Sequence, residues 1–159
     1  MGEVTHEQVN LLLRLYDMRR EARLREAREW FTSHFYPATP EDVMQQCPPG
    51  STENAFMRMV LSYWEMAANI VNRGLIDEEF YFENTGEQWI VFERVKPILS
   101  AWRTMFKNPQ AFANLEEQSK RFEAWREKRA PGSNEAARKM MAQMRQSSQG
   151  APRARTAGN

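Results

Sequence analysis

The stretch STENAFMRMVLSYWEMAANIVNRG, residues 51–74, decides the fold. Its apolar side chains recur at helical spacing, which predicts a helix that begins after Ser51 or Thr52 and ends near Arg73, with Gly74 as a left-handed cap. The rest of its surface is also largely apolar, and such a helix belongs at the centre of a bundle. Its methionines and aromatic residues could also line a ligand pocket, but core packing is the preferred interpretation.

Helical segments are predicted on both sides of this central helix. A long one runs from about Thr5 to Phe35, with Thr5 as its cap, and Pro37 ends it. Thr39 and Pro40 carry the signal of a short helix before the CPPG break. No segment shows strand alternation, so the sequence predicts an all-α fold: an irregular helical bundle of four long helices plus short helices, as one domain over residues 1–130. The remaining predicted helices are a short one after Asp77, a long one at about 87–106 and another at about 108–129.

A run of acidic residues follows the central helix in NRGLIDEEFYFENTGEQW. It could be a carboxylate cluster for a metal or for proton transfer, or a corner between two helices. Asp77 is placed to cap a short helix, and Glu78 and Glu79 lie in its first turn, where the helix dipole favours negative charge. The paired Glu-x-x-His spacing of helical metal sites is absent, as is the acidic calcium loop. We therefore predict a structural corner; the acids are Asp77, Glu78, Glu79, Glu83 and Glu87.

The residue patterns that carry catalysis are missing from the sequence. Cys47 is the only cysteine, which excludes an internal disulfide and a thiolate zinc site, and no base lies beside it in the sequence. Gly74 and Gly86 stand alone, so no phosphate-binding glycine loop is present. No Ser–His or Cys–His arrangement can be proposed from spacing. We predict no catalytic residue, no cofactor and no metal, and hence no enzyme.

The C-terminal region differs from the body in charge. Residues 1–125 hold 14 Lys and Arg against 19 Asp and Glu, whereas residues 126–159 hold 8 against 2. After the APGSN break we expect a basic, flexible and largely disordered tail, 131–159, with a possible short helix at 134–147. That helix carries methionines beside basic residues, a combination suited to docking on protein, either within the chain or on a partner. The predicted partner-binding residues are Arg138, Lys139, Met140, Met141, Met144 and Arg145.

Two functions from different classes follow from this organisation. We expect a non-catalytic protein-interaction or adaptor module, with a protein partner or self-association. The alternative is nonspecific nucleic-acid binding through the basic tail. Against it, residues 130–159 contain no aromatic residue to stack on bases, and the acidic body repels phosphate.

The stretches AANIVNRGLIDEEFYFENTGEQW and VKPILSAWR resemble a group of uncharacterised bacterial all-helical proteins that share a domain of unknown function. The resemblance covers about residues 50–125 and implies a helical fold without implying an activity. Members of this group often carry an N-terminal membrane helix before the helical part. No apolar run here approaches the roughly 20 residues that cross a membrane, and the N-terminus lacks the pattern of a secretory signal. We therefore expect a cytoplasmic protein without a transmembrane segment.

Overall fold

The computed structural model describes residues 2–150, with the side chains of residues 2–147. This part of the chain forms eight helices and no strand, which confirms the predicted all-α class. The final part of the expected disordered tail, residues 151–159, lies outside the described residues. The helices are α1 His6–Arg19, α2 Ala22–His34, α3 Pro40–Gln46, α4 Thr52–Asn72, α5 Glu78–Asn84, α6 Glu87–Met105, α7 Ala113–Arg129 and α8 Ser133–Gly150.

Capping residues set most of the helix starts, as the sequence predicts. Thr5 accepts a hydrogen bond from the backbone N–H of Gln8 at 3.3 Å, and Ser51 accepts one from Asn54 at 3.1 Å. Thr39 and Asp42 form a reciprocal capping box at α3. Each cap satisfies a backbone donor that the first helical turn leaves free.

The first long segment is two helices, so the prediction of one continuous helix over 5–35 is wrong. The chain breaks at Arg20 and Glu21, and the Glu21 carboxylate accepts hydrogen bonds from the backbone N–H groups of Arg23 and Leu24. A side chain that caps the second helix competes with continuation of the first. Because of the break, α1 and α2 can each follow the body at its own angle.

Helix α4 lies at the centre of the bundle and contacts α2, α5, α6 and α7. Its buried side chains include Val60, Trp64 and Ala67, each at most 1% exposed. The prediction of a central helix is confirmed. One stripe of α4 nevertheless reaches solvent, at Arg58, Ser62 and the partly exposed Met66.

The segment between α6 and α7 also differs from its prediction. We expected a helix from Asn108, but residues 108–112 form turns and α7 begins at Ala113. Lys107 and Phe112 have backbone φ angles of 50° and 55°, in the left-handed region, which a helix cannot continue through. The Arg103 guanidinium fixes this loop by donating to the carbonyl oxygen of Ala111 from Nε and Nη2 at 3.0 and 2.9 Å.

Candidate docking surfaces

An apolar groove with a volume of about 780 Å³ opens on one side of the bundle. Its floor is the solvent-facing stripe of α4, and one wall is α3. The other wall is the C-terminal end of α6 with the loop that follows it. Apolar atoms make up most of its surface, and the side chains that supply them include Met44, Met66, Met105, Phe106 and Phe112.

Three aromatic residues at the end of α6 and in the loop after it form one wall of the groove. The ring of Trp102 lies 6.1 Å from that of Phe106 and 5.8 Å from that of Phe112, centroid to centroid. Phe106, which follows the last residue of α6, is 65% exposed. The left-handed backbone of Phe112 costs about 1–2 kcal/mol for a residue with a side chain. A strained backbone and an exposed aromatic ring at one opening are typical of binding sites rather than of ordinary loops.

Most polar groups along the groove already have partners within the protein. The Glu65 carboxylate accepts hydrogen bonds from the backbone N–H groups of Asn114 and Leu115, at 3.2 and 2.8 Å. Asn54 donates to the carbonyl of Cys47, and Asn69 accepts from Arg73. These bonds leave few polar atoms free to contact a ligand.

Arg58 is the exception among the polar groups of the groove. It is exposed on the floor stripe, one turn from Ser62, and lines the groove. Within the described part of the chain, no carboxylate forms an ion pair with Arg58. The groove therefore presents a large apolar surface with one available positive charge.

Cys47 lies at the α3 wall of the groove but is almost fully buried. Burial raises the pKa of its thiol to about 11, and the negative charge of Glu53 acts in the same direction. A thiol with so high a pKa contains little of the thiolate that reacts with electrophiles at neutral pH. Its role in the structure is that of a small apolar side chain.

The six predicted partner-binding residues all lie on α8, which packs against α7 and α2. The expected short helix at 134–147 is part of this longer helix. Arg138 contacts the body most extensively. Its guanidinium donates to both carboxylate oxygens of Glu93 at 3.1 Å and to those of Glu123 at 2.8 Å, and it lies 5.2 Å from the ring centroid of Trp89.

The other five predicted residues divide between the two faces of α8. Met141 packs against the hydrophobic core, and the Arg145 guanidinium lies 5.3 Å from the ring centroid of Tyr36. Lys139 pairs with Glu135 one turn earlier at 2.8 Å. Met140 and Met144 are 59% and 58% exposed. The structure thus brings Arg138, Met141 and Arg145 to the body and leaves Met140 and Met144 at the surface.

The acidic corner is a set of ion pairs between helices. Asp77 caps α5 by accepting from the backbone N–H of Phe80 at 2.9 Å, as predicted. Glu78 pairs with Arg121 at 2.7 Å, and Glu83 pairs with Arg129 at 2.9 Å. Over the described residues, no group of three or more metal-ligating side chains is placed to hold a metal ion.

Comparison with known families agrees with the resemblance seen in the sequence. The family described as a domain of unknown function (DUF4760) matches residues 4–122. The chain belongs to this family. Neither the comparison with curated proteins nor the comparison with solved structures found a match to the chain.

The family match covers one of the two candidate surfaces and not the other. Every residue that lines the apolar groove lies within the DUF4760 match, whereas α8 follows it. No helix within residues 2–150 has the length and apolar character needed to cross a membrane.

Little in the sequence indicates the groove. Met66 and Phe106 follow the apolar periodicity of their helices, and periodicity alone does not separate a buried apolar residue from one that lines an open groove. The usable signal is the pair of aromatic residues that flank Asn108 and Pro109, because a turn between them leaves both rings near one helix end.

Proposed function

We propose that this protein is a non-catalytic interaction module whose apolar groove binds an amphipathic helix of a partner protein. The single observation that carries the proposal is an open groove of about 780 Å³ whose surface is predominantly apolar. Contiguous exposed apolar surface of this kind marks interaction sites in soluble domains. A helix that lays its apolar face into such a groove is a recurrent mode of protein recognition.

The composition of the groove favours a helical segment as its ligand. Met44, Met66 and Met105 contribute flexible side chains that adapt to the shape of a partner, while Phe106 and Phe112 provide larger surfaces for anchoring. Few free polar groups are available to orient a small polar substrate. The charge of Arg58 favours a partner helix with an acidic residue beside its apolar stripe, because that carboxylate would form the missing ion pair.

Two positive charges on α8 already form ion pairs, and this favours protein binding over the alternative, nonspecific nucleic-acid binding. Arg138 is paired with Glu93 and Glu123, and Lys139 is paired with Glu135. Binding to phosphate would have to break or share these pairs, which weakens the electrostatic attraction that nonspecific binding requires. We propose that the protein acts in the cytoplasm, where a lone thiol such as Cys47 stays reduced.

The test uses synthetic amphipathic peptides of about 18 residues, long enough for a helix of about 27 Å. Two fluorescently labelled peptides share a Leu/Met stripe and differ only in whether Glu or Lys flanks it. We expect the acidic peptide to bind the full chain more tightly in fluorescence anisotropy. Met66→Glu should weaken binding by about tenfold or more, because it places a charge on the groove floor. Leu75→Glu, which changes an exposed apolar residue outside the groove, should not.

A charge exchange makes the test specific. Arg58→Glu should reverse the preference, so that the basic peptide binds more tightly than the acidic one. Equal binding of both peptides, or an equal loss in Leu75→Glu, would contradict the proposal. Sedimentation that shows a dimer dissociated by Met66→Glu would assign the groove to a second copy of the chain instead. Tight binding of duplex DNA at about 150 mM salt, unaffected by Met66→Glu, would favour the nucleic-acid alternative.

A further inference from the structure

A second opening, which is polar, lies where α2, α3 and α8 meet, apart from the apolar groove. The aromatic ring of Tyr36, just after α2, contacts two guanidinium groups: Arg94 lies 3.6 Å and Arg145 lies 5.3 Å from the ring centroid. The Tyr36 hydroxyl donates to the carbonyl of Thr32 at 3.1 Å, which fixes the ring. Two positive charges thus converge on one side chain that carries no charge.

Arg94 lacks the partner that a half-buried cation ordinarily has. Its Nη2 donates to the Thr32 carbonyl at 3.1 Å, whereas its buried Nε has no hydrogen-bond partner. No ion pair joins Arg94 to a carboxylate within residues 2–147. Burial lowers the pKa of Arg94 below its ordinary value, and the nearby charge of Arg145 acts in the same direction. Buried charges are costly unless they are paired, so an unpaired one indicates a missing anion.

The opening beside Tyr36 has a volume of about 510 Å³ and is lined mainly by hydrogen-bond donors. Ser33, His34 and Arg145 line it directly, whereas Arg94 lies outside the lining, against the ring of Tyr36. Gln46 also lines it, and since its Oε1 accepts from the Tyr36 backbone N–H, its side-chain NH₂ is left to donate.

One carboxylate, that of Asp42, also lies in the lining. Its Oδ2 accepts hydrogen bonds from the backbone N–H groups of Ala38 and Thr39, at 2.8 and 2.9 Å, and these bonds hold its pKa below the ordinary value. Asp42 therefore remains charged at neutral pH. One carboxylate against the two guanidinium groups leaves one positive charge in excess around the opening.

We propose that this opening binds a phosphate group, held by Arg145 with Ser33 and His34 and stabilised by the charge of Arg94. The positive charge in excess favours an anion, and arginine is the side chain best suited to bind phosphate oxygens in pairs. The opening exceeds the volume of phosphate alone, so the fitting class is a small phosphate monoester. This site is separate from the proposed helix-binding groove, and either can fail without the other.

The experiment is a titration of the full ¹⁵N-labelled chain with inorganic phosphate at constant ionic strength, followed by the NMR signals of the arginine Nε–Hε groups. We expect saturable shifts for Arg94 and Arg145. A parallel titration with glycerol phosphate tests whether the remaining volume accepts an attached group, and acetate tests whether one negative charge is sufficient. Arg145→Ala should weaken phosphate binding by about tenfold, the loss expected for a charge-assisted hydrogen bond.

Lys139→Ala is the matched control, because it removes one positive charge from an exposed position on the same helix outside the opening. Its phosphate affinity should stay within about twofold of the unmodified chain. Shifts that do not saturate, or equal losses in Arg145→Ala and Lys139→Ala, would overturn the proposal. So would acetate binding as tightly as phosphate, because the opening would then not distinguish phosphate from another small anion. Tighter binding of glycerol phosphate than of phosphate would support the monoester class.

Discussion

The ion pair between Arg28 and Glu87 should be among the strongest polar contributions to the stability of this bundle. Arg28 on α2 donates from Nε to Glu87 Oε1 at 2.7 Å, and its Nη2 donates to the other oxygen, so the pair is bidentate. Arg28 also donates to the carbonyl of Arg19 at 3.1 Å. Three elements therefore meet here: the end of α1, the middle of α2 and the start of α6.

The size of the effect follows from burial. The side chains of Arg28 and Glu87 are 19% and 18% exposed. Removing one partner from a fully buried pair costs about 3–5 kcal/mol, and the remaining contact with water reduces this, so we expect about 2 kcal/mol for Glu87→Gln or for Arg28→Met. The double variant Arg28→Met with Glu87→Gln should lose less than the sum of the single losses by about 1.5 kcal/mol, because neither charge of the bidentate pair is left without the other. Arg19, whose guanidinium lies 3.9 Å from Glu87, loses this ion pair in both variants that change Glu87.

The assay is urea denaturation of the four proteins at pH 7, followed by circular dichroism. The hydrogen bond with Glu87 raises the pKa of Arg28 above its ordinary value, so the contribution of the pair is fully present below that value and is lost only in strong alkali. Neutral pH therefore measures the complete coupling. Additive losses in the double variant would refute this account and would show that water already screens the pair.

Three further predictions concern the core, the acidic corner and α8. Trp64→Ala should cost about 3–5 kcal/mol in denaturant titration, because Trp64 is 1% exposed, and Trp125→Ala at a partly buried site should cost less. Asp77→Ala should lower the stability by about 0.5–2 kcal/mol through loss of a helix cap, measured in the same way. Burial raises the pKa of Glu123, but hydrogen bonds from Arg138 and Trp89 outweigh it, so the pKa is lowered overall. The resulting stability is present above the ordinary glutamate pKa of about 4.3 and is lost as pH falls further. Arg138→Met should therefore make thermal unfolding less dependent on pH below that value.

The parts of the fold that the sequence predicted are those set by local chemistry. Thr5, Thr39, Ser51 and Asp77 cap helices because a short polar side chain meets a free N–H within three residues of itself. The central position of α4 follows from its own apolar surface. Such features depend on neighbours in the chain, and for this reason one sequence is sufficient to predict them.

The break at Glu21 and the groove depend on tertiary contacts that the local sequence pattern does not predict. Glu21 lies in a run where arginine and glutamate alternate, and nothing in that run distinguishes a capping glutamate from one on a helix surface. The groove requires α3 to stand away from the end of α6 and requires Phe106 to lie outside the core. Both follow from how Arg103 binds the loop at Ala111 and from packing across the bundle.

The distribution of residues around α8 changes how a partner could use it. The sequence predicted one docking element of basic and methionine side chains, but the helical period divides these side chains between two faces of α8. Arg138 and Met141 are three residues apart and lie against the body, where Arg138 is held by Glu93 and Glu123. Only the exposed methionine face could receive a partner without detaching the helix. Substitution of the basic residues would therefore loosen α8 as well as alter its charge, so a loss of binding in such a variant does not identify a nucleic-acid contact. Met140, which is 59% exposed, is the position at which a contact between α8 and a partner can be tested separately from the attachment of the helix to the bundle.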